Sequence, residues 1–243
     1  MREGGRKLAQ IIKKLGDKIE PNISTWELDK LAEKLVFDIK GFPAFKGYGA
    51  ESGNPFPATI CASLNEEVVH GIPSKNVILK NGDIIKVDIG MKYKGMFTDM
   101  ARTFLVGDAD VDAKKITETV KESLDRGIKK IKPGKNIGEY SKEVQSFVEK
   151  RGFSVIRNLV GHGVGRHLHE DPQIPNYEDS RFGSVILKPG MTLALEPMIN
   201  VGTYETVLGD DGWVYKTADG QLSAHWENTV LVTEKGVEIL TKV

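Results

Sequence analysis

Acidic residues stand at matching positions in two similar stretches of the sequence. Residues 77–90 read VILKNGDIIKVDIG and residues 185–198 read VILKPGMTLALEPM, and the shared VILK and glycine align Asp88 with Glu196. Alternating apolar residues predict a strand in each stretch, with one face packed on a core and an acid at the end. A carboxylate at the end of such a strand is either exposed to solvent or paired with a partner group. We expect the two strands to meet at one site, where adjacent carboxylates would need a cation.

Two further acids extend this set. Asp99 lies eleven positions after Asp88, and Gly90 and Gly95 allow a hairpin that returns it beside Asp88. Glu227 stands at the start of another β-prone run. A single acid of this kind is better explained as a turn cap or an ion-pair partner. Only the whole set favours a metal site.

Histidines could complete the metal site. The stretch GHGVGRHLHEDP contains His162, His167 and His169, and its glycines allow backbone and imidazole to approach a site closely. His70 follows an apolar pair and, taken alone, is better explained as a hydrogen-bonded core histidine. Four carboxylates with one imidazole would suit two divalent cations, such as Mn, Fe, Co or Zn.

The elements that carry these residues also occur twice. Residues 19–42 and 131–153 each read as a proline turn, an amphipathic helix and a closing Gly-Phe, and another predicted helix precedes each copy. Each half therefore runs helix, helix, then strands. This order predicts a duplicated α+β architecture in one domain spanning 1–243, with pseudo-twofold-related halves at about 1–108 and 109–243.

Composition limits the function classes. The 34 basic and 34 acidic residues balance, so no global charge favours DNA or an acidic membrane. The single cysteine excludes an internal disulfide, and neither a membrane span nor a secretion signal is recognisable, so a cytoplasmic location is expected. The basic residues of the first helix are interpreted as a solvated face, with contact to ribosomal RNA as the alternative. These residues are Arg6, Lys7, Lys13, Lys14 and Lys18.

Specific motifs over nearly the whole sequence resemble the type I methionine aminopeptidases, a family with the pita-bread fold. The motifs are FKGYG, NEEVVHGIPS, VDIGMKYKGMFTDMARTF, GHGVGRHLHEDP, LKPGMTLALEPMIN and HWENT. The resemblance implies a central antiparallel sheet flanked by helices. It also implies five metal ligands, namely Asp88 for one ion, His162 and Glu196 for the other, and Asp99 and Glu227 as bridges.

The same resemblance implies the reaction. A hydroxide bridging two divalent metals would attack the first peptide bond, with His70, His169 and Glu196 as catalytic residues. Substrates would be peptides and nascent chains that begin with methionine and have a small second residue. The expected protein is a monomer, with transient ribosome contact as a further expectation. The implied substrate-binding residues are Tyr48, Phe56, Cys61, His70, Leu168, His169 and Trp213, although Cys61 and Trp213 could equally be core residues.

Two departures from the family pattern concern the site. About five extra residues, around Glu51 to Pro55, separate Tyr48 from Phe56, and His225 stands where the family more often has glutamine. Two alternative functions keep the same fold. Proline-directed exopeptidases would use the same ligands but usually carry a large N-terminal domain, whereas non-catalytic binding modules typically lose ligands that this sequence retains.

Overall fold

The computed structural model describes residues 1–179 and 185–242. In this part of the chain the α-helices are α1 (Arg2–Gly16), α2 (Thr25–Asp38), α3 (Val111–Ile128) and α4 (Gly138–Glu149), and a short 3-10 helix covers Ala50–Ser52. The strands before α3 are β1 (Phe42–Pro43), β2 (Cys61–Leu64), β3 (Glu67–Val69), β4 (Ile84–Tyr93) and β5 (Met96–Leu105). The strands after α4 are β6 (Ser154–Val155), β7 (Gly161–Gly163), β8 (Glu170–Ile174), β9 (Thr192–Leu195), β10 (Met198–Asn200), β11 (Thr206–Leu208), β12 (Tyr215–Thr217), β13 (Ser223–His225), β14 (Asn228–Thr233) and β15 (Gly236–Ile239).

Helix pairs cover two separate cores. The side chains of α1 and α2 pack on β4 through Leu8, Leu15, Leu28 and Val36, all fully buried. Helices α3 and α4 pack in the same way against β9 and β14. Burying one Leu or Val side chain contributes roughly 1.5–3 kcal/mol, so these apolar faces hold the helices in place. The order helix, helix, strands occurs twice along the chain.

The described strands form four antiparallel sheets. Strands β1 and β2 both pair with one edge of β4, and β5 pairs with the other edge. The largest sheet has the order β15–β14–β9–β7–β8. Two three-stranded sheets, β13–β10–β6 and β11–β12–β3, lie beside them. None of the helices in these described ranges is long and apolar enough to cross a bilayer.

The predicted hairpin is present, but its glycines act differently from the prediction. Strands β4 and β5 pair from Ile84 to Tyr93, and the turn uses Gly95 at a φ of 83°. Gly90 is not in the turn; it lies within β4 opposite Asp99. A β-carbon at Gly90 would lie 2.6 Å from the ring of Phe45, so this glycine allows a close side-chain contact instead.

The strands that carry the two aligned acids also differ from the prediction. Asp88 lies in the middle of the long strand β4, whereas Glu196 directly follows β9. Strand β9 was expected to pack on one face only, yet Leu193, Ala194 and Leu195 are all buried. Strand β9 is an interior strand with β14 on one edge and β7 on the other, and Leu193 and Leu195 belong to the core that α3 and α4 cover. The alternating apolar pattern therefore predicted the strand correctly, but the prediction that only one of its faces is buried was wrong.

Side-chain hydrogen bonds join the two large sheets. The hydroxyl of Thr229 donates to the backbone oxygen of Asp99 at 2.8 Å and accepts from the Asp99 N–H at 2.9 Å. The N–H of Glu227 donates to the backbone oxygen of Ala101, also at 2.9 Å. Strands β5 and β14 are thereby held side by side, and the acids they carry face the same space.

Candidate metal centre and active site

One cavity collects the candidate residues. It has a volume of about 550 Å³ and lies where β4, β5, β7, β9 and β14 converge. All the residues singled out as ligands, catalytic groups or substrate-binding groups line it. They are Tyr48, Phe56, Cys61, His70, Asp88, Asp99, His162, Leu168, His169, Glu196, Trp213 and Glu227.

The candidate ligands form a compact group at the base of the cavity. One oxygen or nitrogen each from Asp99, His162 and Glu227 lies within 4.8 Å of the other two. An oxygen of Glu196, Oε1, lies 3.4 Å from Nε2 of His162. Asp88 belongs to the same face of β4–β5 as Asp99, because Gly90 pairs with Asp99 and side chains two positions apart share a face.

Backbone structure fixes His162. Strand β7 lies between β8 and β9, and a β-carbon on Gly161 or Gly163 would come within 2.4 Å of a neighbouring carbonyl oxygen. Glycines on both sides of His162 are therefore required for this close pairing. The Nδ1 atom of His162 lies 2.8 Å from the Gly163 carbonyl oxygen, which can only accept a hydrogen bond. This contact assigns the proton to Nδ1 and leaves the lone pair of Nε2 directed toward Glu196.

Burial and mutual repulsion disfavour the charged forms of the acids. Burial raises the pKa of Asp99 to about 7. The pKa values of Asp88, Glu196 and Glu227 are raised well above their ordinary values, first by burial and then by the neighbouring carboxylates. Burial also lowers the pKa of His162 to about 4. A neutral imidazole among carboxylates that repel one another is the electrostatic setting of a cation site.

The polar atoms around this group also fit a cation. Asp88 Oδ1 and Glu227 Oε1 are buried and have no hydrogen-bond partner among the described residues. Buried polar atoms of folded proteins are nearly always paired, so two unpaired carboxylate oxygens in the lining of one cavity fit a bound cation. Carboxylate oxygens with one imidazole nitrogen are a donor set suited to divalent Mn, Fe, Co or Zn.

Two further histidines face the cavity near the ligands. His169 Nδ1 lies 2.7 Å from the hydroxyl of Tyr48, and its ring centroid is 4.4 Å from that of His162. His70 follows β3 at a φ of 60°, a left-handed conformation that is uncommon for residues other than glycine and clusters at functional sites. Burial lowers the pKa of His70 to about 4 and also lowers the pKa of His169.

Apolar side chains form the outer part of the cavity. Phe56, Cys61 and Leu168 are buried in one cluster, and Trp213 packs edge-on against Phe56 at 5.3 Å between ring centroids. Trp213 thus belongs both to a packed cluster and to the cavity wall. Burial raises the pKa of the Cys61 thiol well above its usual value, so this cysteine acts as a small apolar group and not as a nucleophile.

Several supporting residues were not found from the sequence. Thr229 holds Asp99, and Arg102 donates to the backbone oxygens of Ala101 and Glu227. Asn176 donates from Nδ2 to the backbone oxygen of Glu196 at 3.1 Å. Thr229 lies inside the motif HWENT and Arg102 inside VDIGMKYKGMFTDMARTF, and a polar residue within a predicted strand was the available signal. His167 is exposed and does not line the cavity, and no role was assigned to it.

Comparison with known proteins defines the class. Residues 1–234 match the model of metallopeptidase family M24, and the chain belongs to this family. The α+β fold predicted from the sequence is confirmed, with pita-bread proteins as structural neighbours. At 22% identity, a prolidase from Pyrococcus furiosus shares the fold alone, with a TM-score of 0.77 and cover of 100% of this chain and 63% of that chain.

Closer relatives within the family share one name. Methionine aminopeptidase 1 of Bacillus subtilis is 47% identical over 243 residues, which cover 100% of this chain and 95% of that protein. The crystal structure of methionine aminopeptidase from Thermotoga maritima is similar with a TM-score of 0.95 and 44% identity, covering 100% of this chain and 95% of that chain. The methionine aminopeptidase of Escherichia coli is 40% identical and covers 99% of this chain and 89% of that protein.

Proposed function

We propose that this chain is a methionine aminopeptidase, which removes the first residue from peptides and newly made proteins that begin with methionine. The observation that carries the proposal is a single cavity with buried carboxylates and an imidazole at its base and apolar side chains on its wall. The full-length similarity to methionine aminopeptidases supports it.

We assign the ligands as the family resemblance implies. Asp88 would hold one divalent ion, His162 and Glu196 would hold the second, and Asp99 and Glu227 would contact both. Two such ions would lower the pKa of a water molecule to near neutrality and polarise the scissile carbonyl. The free α-amine of the substrate would be anchored beside this centre, so that only the first residue is removed. The identity of the metal, among Co, Mn, Fe and Zn, is set by cellular supply as well as by these ligands.

Glu196 is assigned the proton transfers. Its carboxylate lies at the base of the cavity, 13% exposed, with one oxygen toward His162. From this position it would take a proton from the attacking water and return it to the leaving amine. Burial raises the pKa of Glu196, which makes its carboxylate a stronger base than an exposed glutamate.

His169 is assigned to the developing oxyanion. The lowered pKa keeps the imidazole neutral, with a single N–H. When the Tyr48 hydroxyl donates to Nδ1, that proton must lie on Nε2, where it can donate to a negative oxygen. Tyr48 would therefore fix the useful tautomer of His169.

His70 and the apolar wall are assigned to the substrate on either side of the scissile bond. His70 lies between the rings of Trp213 and Tyr215, at 6.3 and 6.1 Å between centroids, and would contact the scissile amide. Phe56, Cys61 and Leu168 would enclose the unbranched methionine side chain, and crowding next to it would favour a small second residue.

The cellular setting follows from the proposed activity. We place the enzyme in the cytoplasm as a monomer. Its two halves form one domain, and the basic face of α1 could make transient contact with the ribosome. Lys7 of that face lies 5.4 Å above the ring of Tyr93, while Arg6, Lys13 and Lys14 of α1 and Lys18 just after it are exposed.

Mass spectrometry of a peptide panel tests the proposal. Met-Ala-Ser and Met-Gly peptides should lose one residue in the presence of Mn²⁺ or Co²⁺, while Met-Arg and Xaa-Pro peptides should stay largely intact. Glu196→Gln should abolish release, and His167→Ala, at an exposed position outside the cavity, should match the wild type. Preferred cleavage of Xaa-Pro peptides would assign a proline-directed exopeptidase, and no cleavage with any metal would indicate a binding module.

A further inference from the structure

His225 is a buried histidine whose ring makes no hydrogen bond among the described residues. It ends β13, is 1% exposed, and both Nδ1 and Nε2 lack a hydrogen bond. An imidazole placed by chance in a core would pair at least one nitrogen, because an unsatisfied buried polar atom is costly. Two unpaired nitrogens in one ring suggest a function in the neighbouring site.

The backbone of His225 is held in place. Its N–H donates to the Thr103 hydroxyl oxygen at 3.0 Å, and the same hydroxyl donates to the His225 carbonyl oxygen at 2.8 Å. On the other side, His225 pairs with Met198 of β10. The ring therefore keeps a fixed position relative to β5 and to the segment that follows β9.

One carboxylate faces the ring of His225. Nε2 of His225 lies 3.7 Å from Oε2 of Glu196, while the other oxygen of Glu196 faces His162 at 3.4 Å. The carboxylate of Glu196 thus lies between two imidazoles. At 3.7 Å the pair falls short of a hydrogen bond, but distances of this kind often shorten when the ligands of an active site are bound.

Glu196 is the carboxylate that the ring of His225 faces. Nε2 of an imidazole can carry an N–H, and a carboxylate oxygen can only accept a hydrogen bond. Nε2 is directed at Oε2 of Glu196 and has no other hydrogen-bond partner among the described residues.

We propose that His225 is a positioning residue that donates an Nε2–H hydrogen bond to Oε2 of Glu196. This bond fixes the rotation of the carboxylate, so that Oε1 stays toward His162 and the metal centre. The inference rests on the proposed function only in taking Glu196 as a metal ligand. Groups that orient metal ligands from behind typically change metal affinity or activity by about 10- to 100-fold when removed.

Two substitutions separate a donor role from simple packing. His225→Leu introduces an apolar side chain of similar size and removes the donor. His225→Gln replaces the imidazole by an amide N–H, which can still donate toward Glu196. Titration of the chelator-treated proteins with Mn²⁺ by calorimetry should show affinity for one ion reduced by about 10- to 100-fold in His225→Leu and largely restored in His225→Gln. His167→Gln serves as the matched control, because that histidine is exposed.

A spectroscopic measurement detects the proposed hydrogen bond between His225 and Glu196 directly. Nitrogen NMR of the Mg²⁺- or Zn²⁺-loaded protein with labelled histidine, assigned with the His225→Gln variant, should show His225 as the neutral Nε2–H tautomer. Unchanged Mn²⁺ affinity in His225→Leu, equal losses in both variants, or an Nδ1–H tautomer would each overturn the inference. These measurements need no peptide substrate, so failure of the peptide panel would reject the proposed activity and leave this result interpretable.

Discussion

At the residue scale, the three cavity histidines should respond differently to substitution. His162→Ala removes the imidazole ligand from a site whose other ligands are carboxylates, so affinity for one metal should fall together with activity. His169→Ala should keep the metal content and lose about 100- to 1000-fold in kcat, the loss typical when one oxyanion donor is deleted. His70→Ala should also keep the metal and lose about 10²- to 10⁴-fold, as expected for general acid assistance.

Metal content and kinetics measured on the same samples decide between these roles. Elemental analysis and calorimetry give the stoichiometry, and steady-state assays at saturating metal give kcat and kcat/KM. His167→Ala, from the same segment, should be indistinguishable from the wild type. If His169→Ala lost metal as His162→Ala does, the assignment of His169 to the oxyanion would be wrong.

Residue types and spacings predicted the acids and histidines, and the family resemblance added the expected substrate-binding residues, but neither predicted how these side chains contact one another. The twelve candidate residues all line one cavity, including Tyr48 and Trp213 from distant parts of the chain. The hydrogen bond of Tyr48 to His169 spans 121 positions, and the approach of His225 to Glu196 depends on the pairing of β10 with β13. Such contacts follow from sheet register, which local patterns do not specify.

At the element scale, the loop between Tyr48 and Phe56 should control substrate selectivity. The loop is closed at its base, because the backbone N–H of Phe56 donates to the backbone oxygen of Tyr48 at 2.9 Å. At its tip, Asn54 donates to the backbone oxygen of Asp211 at 3.0 Å, next to Trp213. The loop therefore connects the segment of Tyr48 with the segment that carries Trp213, and both of these residues line the cavity.

Removal of this loop tests its role. Deletion of residues 51–55 should raise KM for methionine peptides and relax selectivity for the first residue, while metal content stays unchanged. Asn54→Ala removes only the contact with Asp211 and should produce a smaller change in the same direction. Unchanged constants across the peptide panel would make the loop a tolerated surface insertion.

Helices and strands differed in how well the sequence predicted them. The helices were predictable because apolar spacing and end signals are local, as in α2, where Ser24 and Glu27 form a capping box. Strands were predicted correctly, but the position of Gly90 and the burial of Ala194 were not. Both depend on neighbours from other strands, such as Phe45 against Gly90.

At the scale of the whole molecule, the metal-free protein should lose stability as the pH rises. The pKa of Asp99 is raised to about 7 in the folded protein, whereas an aspartate in the unfolded chain has a pKa of about 3.9. A raised pKa means that the folded state holds the proton more tightly. Stability that is fully present below about pH 4 is therefore lost as the pH rises through about 7. Bound divalent ions should reverse the loss, because they replace the protons.

Thermal unfolding between pH 4.5 and 8 checks this expectation. Chelator-treated wild type should show a falling Tm over this range, with each kcal/mol of lost stability worth about 2–4 °C. Added Mn²⁺ should raise Tm most at the alkaline end. Asp99→Asn, which cannot ionise, should flatten the profile. Parallel profiles for the two proteins without metal would contradict the assignment of a strained buried carboxylate.

The hydrogen bonds between β5 and β14 also set the time at which the site is completed during synthesis. Asp99 and the Thr229 that holds it are 130 positions apart in the chain. At about 5–20 residues per second, the ribosome needs on the order of ten seconds to proceed from one to the other. Throughout that interval the β4–β5 hairpin exists without the strand that supplies Glu227. Because Glu227 is a proposed metal ligand, we expect a nascent copy of this protein to be inactive until Glu227 emerges, and a copy truncated before Glu227 to stay inactive.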